Sequence, residues 1–162
     1  MKKIAFIAGF ALTSGLAGSA SAQLVAHKDL SVTTAVAIAQ TAVQTCKANG
    51  YNVSANVVGR GGEVIVAMRG DATGPHTLEN SMKKAYTART TRAPSGKFAE
   101  TVKGNPNAAQ FFLTNFVAAQ GALPIMVGQD TIGAIGISGA PGGDKDEACA
   151  QAGIDKVAAD LK

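Results

Sequence analysis

The sequence predicts an α+β fold in which helices pack on one antiparallel sheet. Two pairs of short β-branched segments, 51–58 with 63–69 and 123–128 with 131–138, are each separated by only a few residues, which is typical of β-hairpins. Helical periodicity occurs before, between and after the two pairs. Because a hairpin joins antiparallel strands, this order of elements indicates an antiparallel sheet covered by helices.

Residues 1–22 have the pattern of a cleavable signal peptide. Two lysines open the chain, an uncharged apolar run occupies 4–12, and Ala20-Ser21-Ala22 matches the small residues that precede a cleavage site. The apolar run is far shorter than the roughly 20 residues that a transmembrane helix needs. We therefore expect a periplasmic or secreted protein, a single domain over 23–162, and no membrane insertion after cleavage.

The charge of the expected mature chain is small. The full sequence carries 15 lysines and arginines against 11 aspartates and glutamates, and cleavage removes two lysines, so the formal charge falls from +4 to +2. This excess is too mild to indicate binding to nucleic acid or to an anionic membrane. The remaining length is that of one ordinary domain.

The first helix is predicted over 31–49. Its apolar face recurs at steps of three and four residues through Val36, Ala39, Val43 and Cys46. Ser31 or Thr33 suits the N-cap, and the glycine at position 50 suits the end of the helix. The glycine-rich connection 59–62 then supplies the positive φ angles of the first hairpin turn.

The later helices are predicted from the positions of proline and glycine. Pro75 suits the first turn of a helix that runs to about Thr91. Prolines and glycines divide 94–106 into loops and a short helix. Another short helix is expected over 108–119, with Phe111, Phe112 and Phe116 on one face, and a last helix over 144–161 follows the second hairpin.

No motif in the sequence indicates a catalytic centre. The glycine-rich stretch 133–143 has neither the P-loop nor the dinucleotide-binding spacing, and acidic residues follow it, so we interpret it as a structural turn whose N–H groups can line a pocket. Neither cysteine has a neighbouring histidine, and no cluster has the spacing of zinc ligands. The sequence assigns no catalytic residue and favours a protein that is not an enzyme.

The two histidines are the most informative polar residues. His76 lies where a loop meets a helix, so its imidazole is either hydrogen-bonded to the local backbone or presented at the rim of a pocket to a metal or haem iron. His27 is either an exposed side chain or a second metal ligand. Residues 60–103 hold eight bases against four acids, which suits a ligand with carboxylates such as haem propionates; the alternative is a solvated helix face.

Cys46 and Cys149 have two alternative interpretations. Two cysteines in an oxidising compartment suggest a disulfide. On a helix, however, Cys149 falls about 120° from the centre of the apolar stripe that runs from Ala150 to Leu161, whereas Cys46 lies within its own helix's apolar face. We therefore favour two separate buried thiols over a disulfide.

Several strings of the sequence resemble the GlcG/HbpS family of small haem-binding domains. They are 30–39 in the first helix, Gly61-Gly62 in the first hairpin, 74–78 (GPHTL), 84–88 (KAYTA), and 133–143 (GAIGISGAPGG) followed by 146–149 (DEAC). Together they extend over nearly the whole expected mature chain. The last string is the most specific of them.

The resemblance implies a profilin-like or PAS-like fold with a five-stranded antiparallel sheet and the first and last helices on one face. It also implies homo-oligomers and, in exported members, the binding of haem or iron. Many members have Asp in a V-V-D-x-x-G pattern where this chain has Val57-Val58-Gly59, which favours binding over catalysis. A cysteine also recurs at the Cys149 position in cytoplasmic relatives, which argues against a purely disulfide role.

We therefore predict an exported protein that captures, buffers or senses haem, iron or another anionic small molecule. His76 is the first candidate iron ligand and His27 the second, and Lys83, Lys84 and Arg89 are candidate partners of the propionates. Candidate apolar contacts are Met82, Tyr86, Phe111, Phe112 and Phe116. Two alternatives remain: an enzyme for a small carboxylated metabolite on the same fold, and a ligand-sensing accessory protein whose partner is a membrane sensor.

Overall fold

The computed structural model describes residues 23–162, so the predicted signal peptide and its cleavage site lie outside the described residues. An irregular segment, 23–31, precedes the first helix. The elements that follow are α1 (Val32–Ala48), β1 (Ser54–Val58), β2 (Val64–Arg69), α2 (Thr77–Thr91), α3 (Ser95–Gly104), a 3-10 turn (Ala109–Phe112), β3 (Ala122–Val127), β4 (Asp130–Ser138) and α4 (Gly143–Lys156). Within this part of the chain, no helix has the length and apolarity needed to cross a membrane.

The sheet has four strands in the order β2-β1-β4-β3, and every neighbouring pair is antiparallel. Both predicted hairpins are therefore confirmed. The expectation of five strands is wrong for the described residues, because only four segments there form strands. The irregular segment 23–31 pairs with no strand, and the Arg60 side chain holds it instead, through Asp29 and the Lys28 carbonyl.

Helices cover both faces of the sheet. On one face α1 packs beside α4, and Ile38 and Ala42 of α1 share a core with Val57, Ile135 and Ile137 of the strands. On the other face α2 lies across β1 and β4, in a second, smaller core formed by Val58, Ala85, Ala88, Ala122 and Ala134. The first and last helices thus share one face, as the resemblance implied.

The buried helix faces differ from those predicted. In α1 the side chains with no exposed surface are Ala35, Ile38, Ala39, Ala42 and Cys46, whereas Val36 is 37% exposed. In α4 the helix ends at Lys156 rather than near 161, and Cys149, Ala150 and Gly153 face the core. A Cβ on Gly153 would lie 2.5 Å from the Ile38 carbonyl oxygen, so this glycine lets the two helix backbones meet.

Cys46 and Cys149 form a disulfide, with their Cα atoms 5.6 Å apart. The interpretation as two separate thiols is therefore wrong. The interpretation failed because the predicted stripe was centred on the large apolar residues of α4. The helix instead contacts α1 through a glycine, which a hydropathy pattern does not mark. Cys149 lies one helical turn before Gly153, on the same face, and so faces α1 where the two helices are closest.

The predicted helix over 108–119 is also wrong, since only the 3-10 turn Ala109–Phe112 forms there. Leu113 is already extended, which ends the turn. Phe112 is 71% exposed, whereas Phe116 is buried and its ring lies edge-on to those of Tyr86 and Phe98. The three phenylalanines expected on one face therefore do not share one.

Candidate functional site

A cleft of about 550 Å³ opens at the end of the sheet where β4 finishes. Three parts of the chain form its walls: the loop 50–52 after α1, the start of α2, and the glycine-rich loop 139–143 that leads into α4. Of the glycine-rich stretch 133–143, residues 133–138 belong to β4, and only 139–143 form a loop that lines this cleft. The polar side chains that face it include His76, Asn80, Lys84 and Asp146.

His76 occupies the N-cap position of α2, at the rim of this cleft. Its imidazole lies against Gly74, where a Cβ would approach the ring Cε1 to 2.9 Å, so the glycine makes room for the ring. A second cleft of about 390 Å³ is lined by His76 and Asn80 together with Glu79, Lys83 and Val117. Among residues 23–162, no hydrogen bond engages either ring nitrogen, so the backbone-bonded alternative does not apply.

A buried polar network fixes the start of α2 on the sheet. Ser54 and Thr77 exchange a hydrogen bond of 2.8 Å between their hydroxyl groups. The Asn56 amide donates to the Ser81 hydroxyl at 2.8 Å and to the Leu78 carbonyl at 2.9 Å. Because each of these bonds joins β1 to the first turns of α2, His76 is carried on a rigid support.

The structure gives Lys84 a partner inside the protein. Its ammonium donates to Oδ2 of Asp146 at 2.8 Å and to the Ile137 carbonyl at 3.0 Å, and the two side chains are only 5% and 4% exposed. The Ala140 N–H donates to the other carboxylate oxygen at 3.1 Å. Burial raises the pKa of Asp146, although Lys84 and the Ala140 N–H oppose the rise. The pairing of Lys84 with a propionate stays a prediction.

Lys83 lies on the same face of α2 as His76, because the two are separated by seven residues. Its ammonium is 2.7 Å from Oε1 of Glu79, and its side chain is 30% exposed. This hydrogen bond lowers the pKa of Glu79, so the carboxylate is charged at neutral pH. Lys83 therefore presents a partly exposed cation to a cleft that His76 also lines.

Met82, Tyr86 and Arg89 share a different face of α2, turned by about 120° from that of His76 at 100° per residue. Tyr86 packs against Gly62, where a Cβ would lie 2.7 Å from its ring, and against Phe116. Burial, followed by two nearby arginines, lowers the pKa of Arg89. The structure thus separates these three candidates from His76 and Lys83.

His27 lies at the opposite end of the sheet from His76. It bonds Asp29 at 3.0 Å, Asp29 contacts Arg60, and Arg60 binds Asp130 at the first residue of β4. His76 and Ser138, the last residue of β4, line the same cleft. Strand β4 spans nine residues, or roughly 26 Å, so one protomer cannot bring both histidines to one iron.

Two features of the site were not predicted from the sequence. Asp146 belongs to a string noted only for its resemblance, and Asn80, which donates to Ser138 at 2.9 Å, had no assigned role. The only sequence signal for Asp146 was its place in the first turn of the last helix, where acids are common. Over residues 23–162, no group of three histidine, cysteine or carboxylate side chains is placed to hold a metal ion.

These features define a class of small α+β domains in which a loop-walled cleft at one end of an antiparallel sheet presents a histidine. The sequence model of the HbpS-like family, described as haem degrading protein HbpS-like, matches residues 30–155. The chain belongs to this family. No curated protein matches the chain in sequence.

Solved structures agree with this assignment. The crystal structure of HbpS is 32% identical with a TM-score of 0.78, and the match covers 82% of this chain and 93% of that one. A double mutant of Streptomyces reticuli HbpS is 30% identical with a TM-score of 0.78, covering 83% and 93%. PduOC in complex with haem is 21% identical with a TM-score of 0.73, covering 80% and 95%, and shares the fold.

Proposed function

We propose that this protein is exported and binds haem at His76, in order to capture, buffer or sense it. The observation that carries the proposal is an exposed imidazole that lines two clefts on a domain of the HbpS-like family and whose ring nitrogens bond no described residue. The name of that family refers to haem degradation, and a more distant structural neighbour was solved with haem. Both support haem as the ligand.

The residues around His76 suit such a ligand. A neutral imidazole nitrogen binds haem iron. In His76, no hydrogen bond to a described residue has to break before the ring can bind. Lys83, on the same helix face, offers an ammonium to a propionate. Val117 adds an apolar surface beside both residues. Bound haem would supply an iron that accepts a nitrogen ligand; the protein would supply the His76 imidazole in its fixed position and the Lys83 cation of the same cleft.

Export and self-association are part of the same proposal. The signal-peptide pattern of residues 1–22 supports export to the periplasm or beyond. Exposed apolar side chains support an oligomer: Phe112 is 71% exposed, Leu113 57%, and Val64 on the edge strand β2 48%. Such surfaces on a small domain favour a partner of the same kind.

The test is a titration of the protein without residues 1–22 with hemin, in which the absorption spectrum is recorded at each step. We expect a Soret band that saturates near one haem per protomer, and its loss or displacement in His76→Ala. His27→Ala is the matched control, because it removes the other imidazole from the far end of the sheet. A hemin spectrum that the protein leaves identical to that of free hemin would refute haem binding. A spectrum of the hemin complex that is the same in His76→Ala as in the unsubstituted protein would remove His76 from the site.

A further inference from the structure

A separate cleft of about 420 Å³ lies between α3 and the start of α4. It shares no lining residue with either cleft beside His76. Its polar lining consists of Lys97, Glu100 and Lys103 from α3, Glu147 from α4, and Gln120 from the loop before β3. The volume is that of a site for a small molecule.

Close glycine contacts hold Gln120 in place at this cleft. A Cβ on Gly143 would lie 2.6 Å from Cβ of Gln120, and one on Gly96 would lie 3.1 Å from its Cγ. The Gln120 amide donates to Oε2 of Glu147 at 2.8 Å. Two helix starts and the loop before β3 therefore meet around one side-chain amide, which positions the carboxylate of Glu147.

The second carboxylate oxygen of Glu147 has no partner. Oε1 is buried and accepts no hydrogen bond from any residue in 23–162. A buried acceptor without a donor is costly, and native proteins rarely leave one unexplained. Glu147 lines the cleft, and the terminal torsion of its side chain is soft. The site therefore has an unused acceptor for a positively charged donor.

Among the other charged side chains at the cleft, one cation, Lys103, has no partner in the described part of the chain. Nζ of Lys97 is 3.2 Å from Oε2 of Glu100, so these two groups satisfy each other. Lys103, one turn further along α3, forms no ion pair or hydrogen bond with the described residues. The cleft thus carries one uncommitted carboxylate oxygen and one uncommitted ammonium, with Pro94 and Ala99 as apolar lining.

We propose that this cleft binds a small zwitterionic amino acid. Its ammonium donates to Glu147, its carboxylate pairs with Lys103, and a short side chain lies on Pro94 and Ala99. A molecule with both charges matches the neutral balance of the lining, whereas a simple anion or a simple amine leaves one group unpaired. The proposal is independent of haem, because no residue is common to the two sites.

The test is a titration of the ¹⁵N-labelled protein, without haem, with L-alanine and L-serine. We expect saturable shifts confined to the amides of Gly96, Lys103, Gln120 and Glu147. Glycine betaine, propylamine and propionate are the comparison ligands, since the first has no N–H to donate and the others carry one charge each. These three ligands should give little or no shift at the same concentrations.

Two variants locate the binding. Glu147→Gln and Lys103→Gln should each weaken it by about tenfold or more, because each removes one charge-assisted contact. The exposed residues Asp155 and Lys156, at the other end of α4, provide matched charge controls as Asp155→Asn and Lys156→Gln. Absence of shifts, equal binding of betaine, or unchanged binding in both folded cleft variants would overturn the proposal.

Discussion

Lys84 and Asp146 form an ion pair between helices that cover opposite faces of the sheet. Their Nζ and Oδ2 atoms are 2.8 Å apart, and both side chains are almost fully buried. The ammonium reaches past Gly121, where a Cβ would lie 2.6 Å from Nζ. The pair thus anchors α2 to α4 among the lining residues of the His76 cleft. Each of the two buried charges is stabilised by the other.

Lys84→Met should destabilise the protein by about 3 to 5 kcal/mol near neutral pH, because it leaves a buried carboxylate without its countercharge. Burial already raises the pKa of Asp146, and loss of Lys84 raises it further. A carboxyl whose pKa is higher in the folded state stabilises the fold below its unfolded pKa, and this contribution is lost as pH rises through the folded pKa.

The free energy of unfolding lost in Lys84→Met should therefore be greater near about pH 7.5 than near about pH 4.5. Urea unfolding at about these two pH values measures it. Lys97→Met is the control, because it removes one partner of an exposed pair and should have a small effect at both. A loss of equal size at the two pH values would contradict the account of Asp146.

Reduction of the Cys46–Cys149 disulfide should lower the free energy of unfolding by about 4 to 5 kcal/mol, since the bond closes a loop with a sequence separation of 103. The thermal midpoint should fall by roughly 10 to 20 °C. Calorimetry with and without reductant measures this. The double variant Cys46→Ala, Cys149→Ala should melt at a similarly lowered temperature and should not respond to reductant; a midpoint that reductant leaves unchanged in the unsubstituted protein would count against the pairing.

Gly136→Ala should cost about 3 kcal/mol or more, because the new Cβ would lie 2.1 Å from the Ser81 carbonyl oxygen and 2.7 Å from the Ala85 nitrogen. Both contacts are to the α2 backbone, which can yield only if the helix moves off the sheet. Gly104→Ala, at the end of α3, meets no atom within 4 Å and should be neutral or slightly stabilising. Equal stabilities of the two variants in denaturant would show that α2 does not lie so close to β4.

Glu79→Gln should strengthen hemin binding by about two- to tenfold at low salt, if Lys83 pairs with a propionate, because it releases that ammonium from its 2.7 Å contact. The gain should shrink as salt is added. Glu100→Gln, which releases Lys97 from a similar pair on α3, is the control and should not alter hemin affinity. An affinity that Glu79→Gln leaves unchanged, while His76→Ala still lowers it, would exclude Lys83 from the site.

Local patterns were enough to predict most of the elements. The hairpin segments and α1 have the correct type and nearly the correct ends, because β-branched runs, Ser31 as N-cap and glycine-rich turns act over a few residues. Contacts between distant segments were not predictable in this way. The approach of α4 to α1 depends on Gly153, and a residue without a side chain leaves no trace in a hydropathy pattern.

The candidate site shows the same division. His76 was identified because the Gly-Pro-His sequence predicts the start of a helix, and this local signal places the histidine where a loop meets that helix. Lys84 and Asp146 are 62 residues apart in sequence, so only the folded chain shows that they are partners. The spacing of Met82, Tyr86 and Arg89 on α2 was visible in the sequence, but which face of the helix meets the cleft depends on how α2 lies on β1 and β4.

The disulfide between α1 and α4 also determines how the protein would respond to a pulling force. Tension applied to the ends of 23–162 passes through the sulfur atoms and bypasses 47–148, which include the whole sheet, α2 and α3. The oxidised chain can then lengthen to roughly 130 Å, against roughly 480 Å once the bond is reduced. An oxidised molecule caught by a ring-shaped unfolding machine would present a loop that cannot be threaded as a single strand.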